Sequence, residues 1–133
     1  MSNQQRILLV DDDIQILQGL KMRLSATGFQ VETAENGEEG LAAAQAARPD
    51  LIVIDINMPI MDGFTMLSRL REDASMDNTP VIMLSANVSP KMKKEGLKRG
   101  ARCFMEKPYD SKALVQTIQS TIRQSADLAD ISA

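Results

Sequence analysis

The stretch Ile7-Leu8-Leu9-Val10-Asp11-Asp12-Asp13 passes from four aliphatic residues of buried type straight into a row of carboxylates. A second run, Leu51-Ile52-Val53-Ile54, ends the same way on Asp55. An uninterrupted apolar run followed by an acid is how a parallel strand, covered on both faces, delivers a carboxylate to the edge of its sheet. Gathering such acids in a partly desolvated crevice is costly, because like charges repel and raise one another's pKa. A cation relieves that repulsion, and hard oxygen ligands at this density suit Mg²⁺, which takes one or two carboxylates and keeps room for water or a phosphate. The plainer reading makes these acids turn formers or helix caps. It serves for one strand end and is strained for two matched ones.

Working outward, strand and helix signals alternate five times. Arg6–Val10 reads as a strand, and Ile14, Leu17, Leu20 or Lys21, and Leu24 then recur at helical spacing until Gly28, a helix stop. Gln30–Ala34 reads as a second strand. Asn36 with Glu39 three residues on makes a capping pair for an alanine-rich helix that ends before Pro49. Leu51–Ile54 is the most apolar strand, followed by a loop from Asn57 to Gly63 and a short helix carrying Phe64, Met66, Leu67 and Leu70. Val81–Leu84 is a fourth strand, Ser89-Pro90 starts a helix that stops at Gly100, and Arg102–Met105 is a fifth strand. Asp110 caps a last helix with Leu114, Ile118 and Ile122 on one stripe. Five βα units predict a doubly wound α/β sheet with helices on both faces. Ligands on such sheets bind beyond the carboxyl ends of the strands, where Asp11, Asp12, Asp55, Ser85 and Lys107 all fall. The expected organisation is one domain over 1–124 and a polar tail, or a frayed helix end, over 125–133.

Composition narrows the chemistry. The 133 residues are 44% hydrophobic and 25% charged, ordinary for a globular domain with a real core. There are three Phe, one Tyr and no Trp, so the core is aliphatic and base stacking on single-stranded nucleic acid is disfavoured. The net charge of −3 makes the whole chain a poor non-specific DNA binder. Histidine is absent, which removes imidazole bases, Ser-His-Asp arrangements and most zinc sites. Any histidine the chemistry needs comes from another protein. One cysteine, Cys103, excludes an internal disulfide and fits a reducing compartment. With no apolar stretch near the roughly 20 residues of a membrane span, and a polar opening Met-Ser-Asn-Gln-Gln, a cytoplasmic domain is expected.

The points to assemble are therefore Asp11 and Asp12, Asp55, Ser85 before Ala86, and Lys107 before Pro108. With Ile54-Asp55-Ile56-Asn57-Met58-Pro59-Ile60-Met61-Asp62-Gly63, Leu84-Ser85-Ala86 and Glu106-Lys107-Pro108-Tyr109 set beside the opening stretch, the chain resembles the receiver (response regulator) domains of two-component signalling, from about Arg6 to Arg123. The resemblance implies a flavodoxin-like sheet of order 2-1-3-4-5. It makes Asp55 the phosphoacceptor, attacking a phosphohistidine of a sensor histidine kinase or histidine phosphotransfer protein to give an acyl phosphate. Mg²⁺ would be held by Asp12 and Asp55, by the Asn57 backbone carbonyl, and by Asp11 through water. Lys107 and the ion would neutralise the phosphoryl oxygens, with Pro108 following a cis peptide that aims Lys107.

Ser85 would hydrogen-bond a phosphoryl oxygen, and its movement would let Phe104 rotate inward. Phe104 stands where the family commonly has a ring, here without a tyrosine hydroxyl. The resemblance also implies a downstream effector and a possible homodimer through the fourth helix, fifth strand and fifth helix, with no direct nucleic-acid or membrane contact. Lys91, Lys93, Lys94, Lys98, Arg99 and Arg102 give that fourth helix a basic face, which reads either as a solvated surface or as part of the output surface.

Other readings fit less well. A haloacid-dehalogenase-type phosphatase usually carries a second Asp two residues after the first, where this chain has Asn57. A P-loop is absent, and a flavin carrier would want stacking rings and a phosphate loop. A receiver-like interaction domain that works without phosphorylation stays open at this point. No turnover of an external metabolite is expected, only assistance to the domain's own phosphorylation and hydrolysis. Several residues have bland readings of their own. Asp13 is expected as a helix cap, Asp62-Gly63 as a turn, Cys103 as an inert buried thiol, and Phe104 alternatively as core.

Overall fold

A computed structural model describes the backbone of residues 4–107 and 110–132, and side chains as far as Ser125. The expected cis peptide at Pro108 lies outside the described residues. The elements run β1 (Arg6–Val10), α1 (Ile14–Ala26), β2 (Gln30–Ala34), α2 (Gly37–Ala47), β3 (Leu51–Asp55), α3 (Gly63–Glu72), a 3-10 turn (Ala74–Met76), β4 (Val81–Ser85), α4 (Pro90–Lys98), β5 (Cys103–Glu106) and α5 (Ser111–Ser132). The five strands are parallel in the order β2-β1-β3-β4-β5. The implied topology is the one found.

Period-two alternation explains the two layers. Leu8, Val10, Ile52, Ile54, Val81 and Met83 turn to one face, where Met66, Leu67 and Leu70 of α3 cover them. Ile7, Leu9, Leu51, Val53, Ile82 and Leu84 turn to the other, under Leu17, Leu20 and Leu24 of α1 and Leu114 and Ile118 of α5. Central strands sealed on both faces must be apolar throughout, which is why β3 and β4 are buried along their whole length.

Local signals set the helix ends. Asn36 Oδ1 accepts from Glu39 N at 2.8 Å while its Nδ2 donates to Glu39 Oε2 at 3.0 Å. Asp13 Oδ1 accepts from Gln15 N and Ile16 N at the start of α1. Ser89 caps α4 ahead of Pro90, and Asp110 Oδ1 accepts from Lys112 N before α5. Gly28 and Gly100 end their helices at φ 104° and 105°, conformations that need glycine.

Three features depart from the sequence reading. Ile14 sits on the predicted stripe yet is 51% exposed, because it is the first residue after the Asp13 cap and stands above the sheet edge. The turn Ala74–Met76 has no clear signal of its own beyond Asp73, whose carboxylate accepts from Ser75 N. Cys103 is half-buried rather than buried, because β5 is an edge strand. Residues 125–132, expected as a frayed helix end or a tail, continue α5 in the backbone, since neither glycine nor proline interrupts them. Among the described residues no helix is long and apolar enough to cross a membrane.

Candidate functional site

The ends of β1, β3 and β5 meet where the sheet's carboxyl edge opens to solvent. Asp11 follows β1, and its N–H continues the ladder to Ala34 O at 3.1 Å. Asp55 is the last residue of β3. The two carboxylates are 3% and 4% exposed, whereas Asp12 is exposed. One oxygen from each of Asp11, Asp12 and Asp55 lies within 4.8 Å of the others. Lys107, one residue past β5, is aimed here by a hydrogen bond from its backbone N–H to Ser85 O at 2.7 Å. Its Nζ lies 3.1 Å from Asp11 Oδ2 and 3.4 Å from Asp55 Oδ2. Asp11 Oδ1 also accepts from Asp13 N at 2.9 Å.

The electrostatics follow from that packing. Burial, then the neighbouring Asp11 charge, push the Asp55 carboxyl up to about 6, against the pull of Lys107 and a hydrogen bond from the Asn57 backbone. Burial alone would pull the Lys107 ammonium down, but Asp11 and Asp55 outweigh it and hold it above the usual lysine range. One lysine is shared between two buried acids, with a third acid beside them. The site is rich in anionic oxygen, and a small hard dication fits that donor set.

Of the residues singled out in the sequence, Asp11, Asp12, Asp55 and Lys107 converge. Ser85 ends β4 and is 1% exposed, but its hydroxyl serves its own loop, donating to Asn87 O at 3.0 Å and accepting from Asn87 N at 3.3 Å. Asn57 is exposed in the loop after β3. Phe104 lies half-buried on the α2–α3 face of the sheet, against α4. Asp62-Gly63 proves to be the start of α3. Asp62 Oδ1 accepts from Thr65 N at 2.8 Å, and a Cβ on Gly63 would stand 2.6 Å from the Asp55 carbonyl oxygen. Sequence reasoning missed Gly96, which faces the Phe104 ring. Its signal was a glycine in the interior of an otherwise sound helix.

Comparison with known proteins now decides the family. Residues 7–119 match the response regulator receiver domain. The chain belongs to that family. It is 41% identical over 128 residues to the transcriptional regulatory protein PrrA of Mycobacterium tuberculosis, an alignment covering 96% of this chain and 54% of that protein. Among solved structures it is similar to the chemotaxis protein CheY4 of Vibrio cholerae, with a TM-score of 0.84 and 40% identity over 88% of this chain and 98% of that one. A CheX–CheY–BeF3–Mg²⁺ complex from Borrelia burgdorferi gives a TM-score of 0.82 at 33% identity, covering 88% of each chain. The chain spans about half the length of the curated relatives it matches. As a receiver domain it is a phosphoaccepting switch of two-component signalling, a family whose members work with histidine kinases and effectors.

Proposed function

We propose that Asp55 is the phosphoacceptor and that the acid-and-lysine cluster around it is its chemical machinery. The observation that carries this reading is the position of Lys107, whose ammonium lies within reach of Asp55 and Asp11 together. An Asp55 oxygen attacks the phosphorus of a partner's phosphohistidine, the N–P bond breaks, and the imidazole nitrogen leaves with the electron pair and takes up a proton. With its carboxyl at about 6, Asp55 is ionised and nucleophilic at neutral pH. Lys107 would turn from its carboxylates toward the arriving phosphoryl oxygens, stabilising charge in a loose transition state. Asp12, Asp55 and the Asn57 carbonyl would hold Mg²⁺, with Asp11 acting through water, and the ion would supply further neutralisation of those oxygens. The Mg²⁺ and BeF3 named in the Borrelia relative's complex are in keeping with a role for Mg²⁺ at the phosphorylation site of a receiver. Water attacking the same phosphorus in the same field would return Asp55 to its carboxylate, so the domain would assist its own dephosphorylation.

For partners, a groove of ≈ 510 Å³ lined by Ile16, Gly19, Leu20, Ala86, Lys107 and Ser111 opens beside the site. It offers an apolar seat for the protein that carries the phosphohistidine. At the output side, Ser85 would exchange Asn87 for a phosphoryl oxygen, and Phe104 would relay that change to the surface of α4, β5 and α5. The exposed lysines 91, 93, 94 and 98 of α4 favour an acidic effector there. They also oppose a symmetric α4-to-α4 contact between two copies, so a homodimer on this surface would need to offset the charges. The DNA-binding role printed for one longer relative, RpaA of Synechocystis, would sit in segments beyond this domain. The lone Cys103 supports a cytoplasmic location.

The test is an intact-mass spectrum after incubation with acetyl phosphate. One phosphoryl addition is expected for wild type with Mg²⁺, and none without Mg²⁺ or with Asp55→Asn. Addition that persists in Asp55→Asn overturns the assignment of Asp55. No addition under any condition leaves the chain as a receiver-like interaction domain.

A further inference from the structure

Helix α4 buries only one residue, and that residue is Gly96. Helix interiors disfavour glycine, which gives up backbone entropy there without return. Nor does the backbone at 96 require it, for the glycines at positive φ are Gly28 and Gly100. The surrounding space does. A Cβ at position 96 would overlap Phe104 Cζ, stand 2.7 Å from Phe104 Cε1, and lie 3.2 Å from Phe64 Cε1. The Phe104 ring therefore occupies the volume that any other residue at 96 would fill.

The same slot is closed from the α3 side. The Arg99 guanidinium lies 5.4 Å from the Phe64 ring centroid, and its Nη1 donates to Phe64 O at 3.3 Å and Ser68 Oγ at 3.2 Å. Helix α4 is thus fastened to α3 at its C-terminal end, and at Gly96 it lies directly over the Phe104 ring. Phe104 is only half-buried in this position and lies on an edge strand, so a turn about χ1 has solvent to enter.

We propose that Gly96 is a positioning residue of the switch: its missing side chain forms the slot that seats the Phe104 ring beneath α4, and so sets the balance between a seated ring and one turned out to the β5 surface. This rests on the reading of Phe104 as the ring that responds to Asp55. Two discrete ring positions separated by a packed slot make a bistable element, which a small change at the phosphorylation site can bias. Coupling of this kind is reciprocal, so a change in the slot also alters how the ring answers the phosphoryl group.

The experiment uses the full chain labelled with 4-fluorophenylalanine, whose three ring positions (Phe29, Phe64, Phe104) are assigned by single Phe→Leu changes. Fluorine spectra are recorded with and without Mg²⁺ and acetyl phosphate, beside intact mass to follow Asp55. In wild type the Phe104 signal is expected to move on phosphorylation. In Gly96→Ala it should show the solvent-isotope shift of an exposed ring and stay there in both states, although Asp55 still takes up a phosphoryl group. Urea denaturation should show Gly96→Ala destabilising the wild type but neutral or stabilising in Phe104→Ala, where the ring is gone and the better helix former prevails.

A Gly96→Ala spectrum that superposes on wild type in both states overturns the proposal, as does equal damage from Gly96→Ala with and without the ring. If Gly96→Ala alone fails to fold, the double variant decides: a folded double supports the slot, and an unfolded one overturns it. A wild-type Phe104 signal that stays fixed while Asp55 is labelled overturns the switch reading of Phe104 and the proposal with it. That outcome is distinct from failure of the slot alone, in which the ring responds identically in wild type and Gly96→Ala.

Discussion

Through the middle of the sheet, β1, β3 and β4 present side chains that are almost wholly buried, each alternating into one of two apolar layers. A few residues further along the same strands, at the carboxyl edge, two buried carboxylates share one lysine. There too an isoleucine is held at φ 70° in the loop after β3. The first region satisfies every local preference of its residues, and the second sets several aside at once. Interiors gain stability by removing apolar area from water, whereas a site that must accept charge keeps polar groups and strain where an optimised fold would not. Substitutions should therefore act with opposite sign in the two regions.

The largest effect lies in the interior. Ile52→Ala, on a fully buried residue of the central strand, is expected to cost about 3–4 kcal/mol, through lost transfer energy and a cavity the close-packed sheet cannot collapse. Urea denaturation measures it. A loss under about 1 kcal/mol would mean the interior is loosely packed, and the contrast with the edge would fade.

At the edge the sign reverses. The folded protein keeps a proton on Asp55 up to about pH 6, whereas the group's ordinary value is 3.8. Between those values the folded state binds more protons than the unfolded one, so stability falls as pH rises through that window. The penalty is absent below it and fully present above it. Without divalent cations at pH 7.5, Asp55→Asn should stabilise the protein by up to about 3 kcal/mol, the equivalent of the shift. The gain should shrink toward zero at pH 4 and narrow when Mg²⁺ is added to wild type. A pH-independent difference between the two proteins would locate the strain somewhere other than the Asp55 charge.

That division also explains what the sequence made legible. The strands, their order of appearance and the caps at Asp13, Asn36, Ser89 and Asp110 follow from local rules, and Asp11, Asp12, Asp55 and Lys107 could be placed because strand ends fix where a side chain emerges. Three features were not legible, because each depends on the fold around it and not on the local sequence. Gly96 answers to Phe104 on β5 and Phe64 on α3. The half-burial of Cys103 reflects its place on β5, the last strand in the sheet order. The conformation of Ile60 is imposed by the loop's tether to α2, where Gly37 N donates to Met61 O at 3.2 Å. Ser85 lies between these classes, since its position was readable but its bond to Asn87 was not.

Ile60 supplies the smallest effect and the sharpest test of sign. It is β-branched, 74% exposed, and centred in a tight turn closed by Met61 N–H donating to Pro59 O at 2.7 Å. Positive φ is unfavourable for a β-branched residue, and so much exposure recovers little by burial. Ile60→Asn keeps a side chain but tolerates the left-handed region, and should raise stability by about 0.5–1 kcal/mol in urea denaturation. Ile60 exposes its apolar side chain five residues after Asp55, and the same variant tests whether a phosphodonor docks over this loop. It should accept phosphate from acetyl phosphate as wild type does, yet more slowly from a protein donor. Unchanged or lowered stability would show that the loop holds Ile60 without strain, and the edge would then differ from the interior by its charges alone.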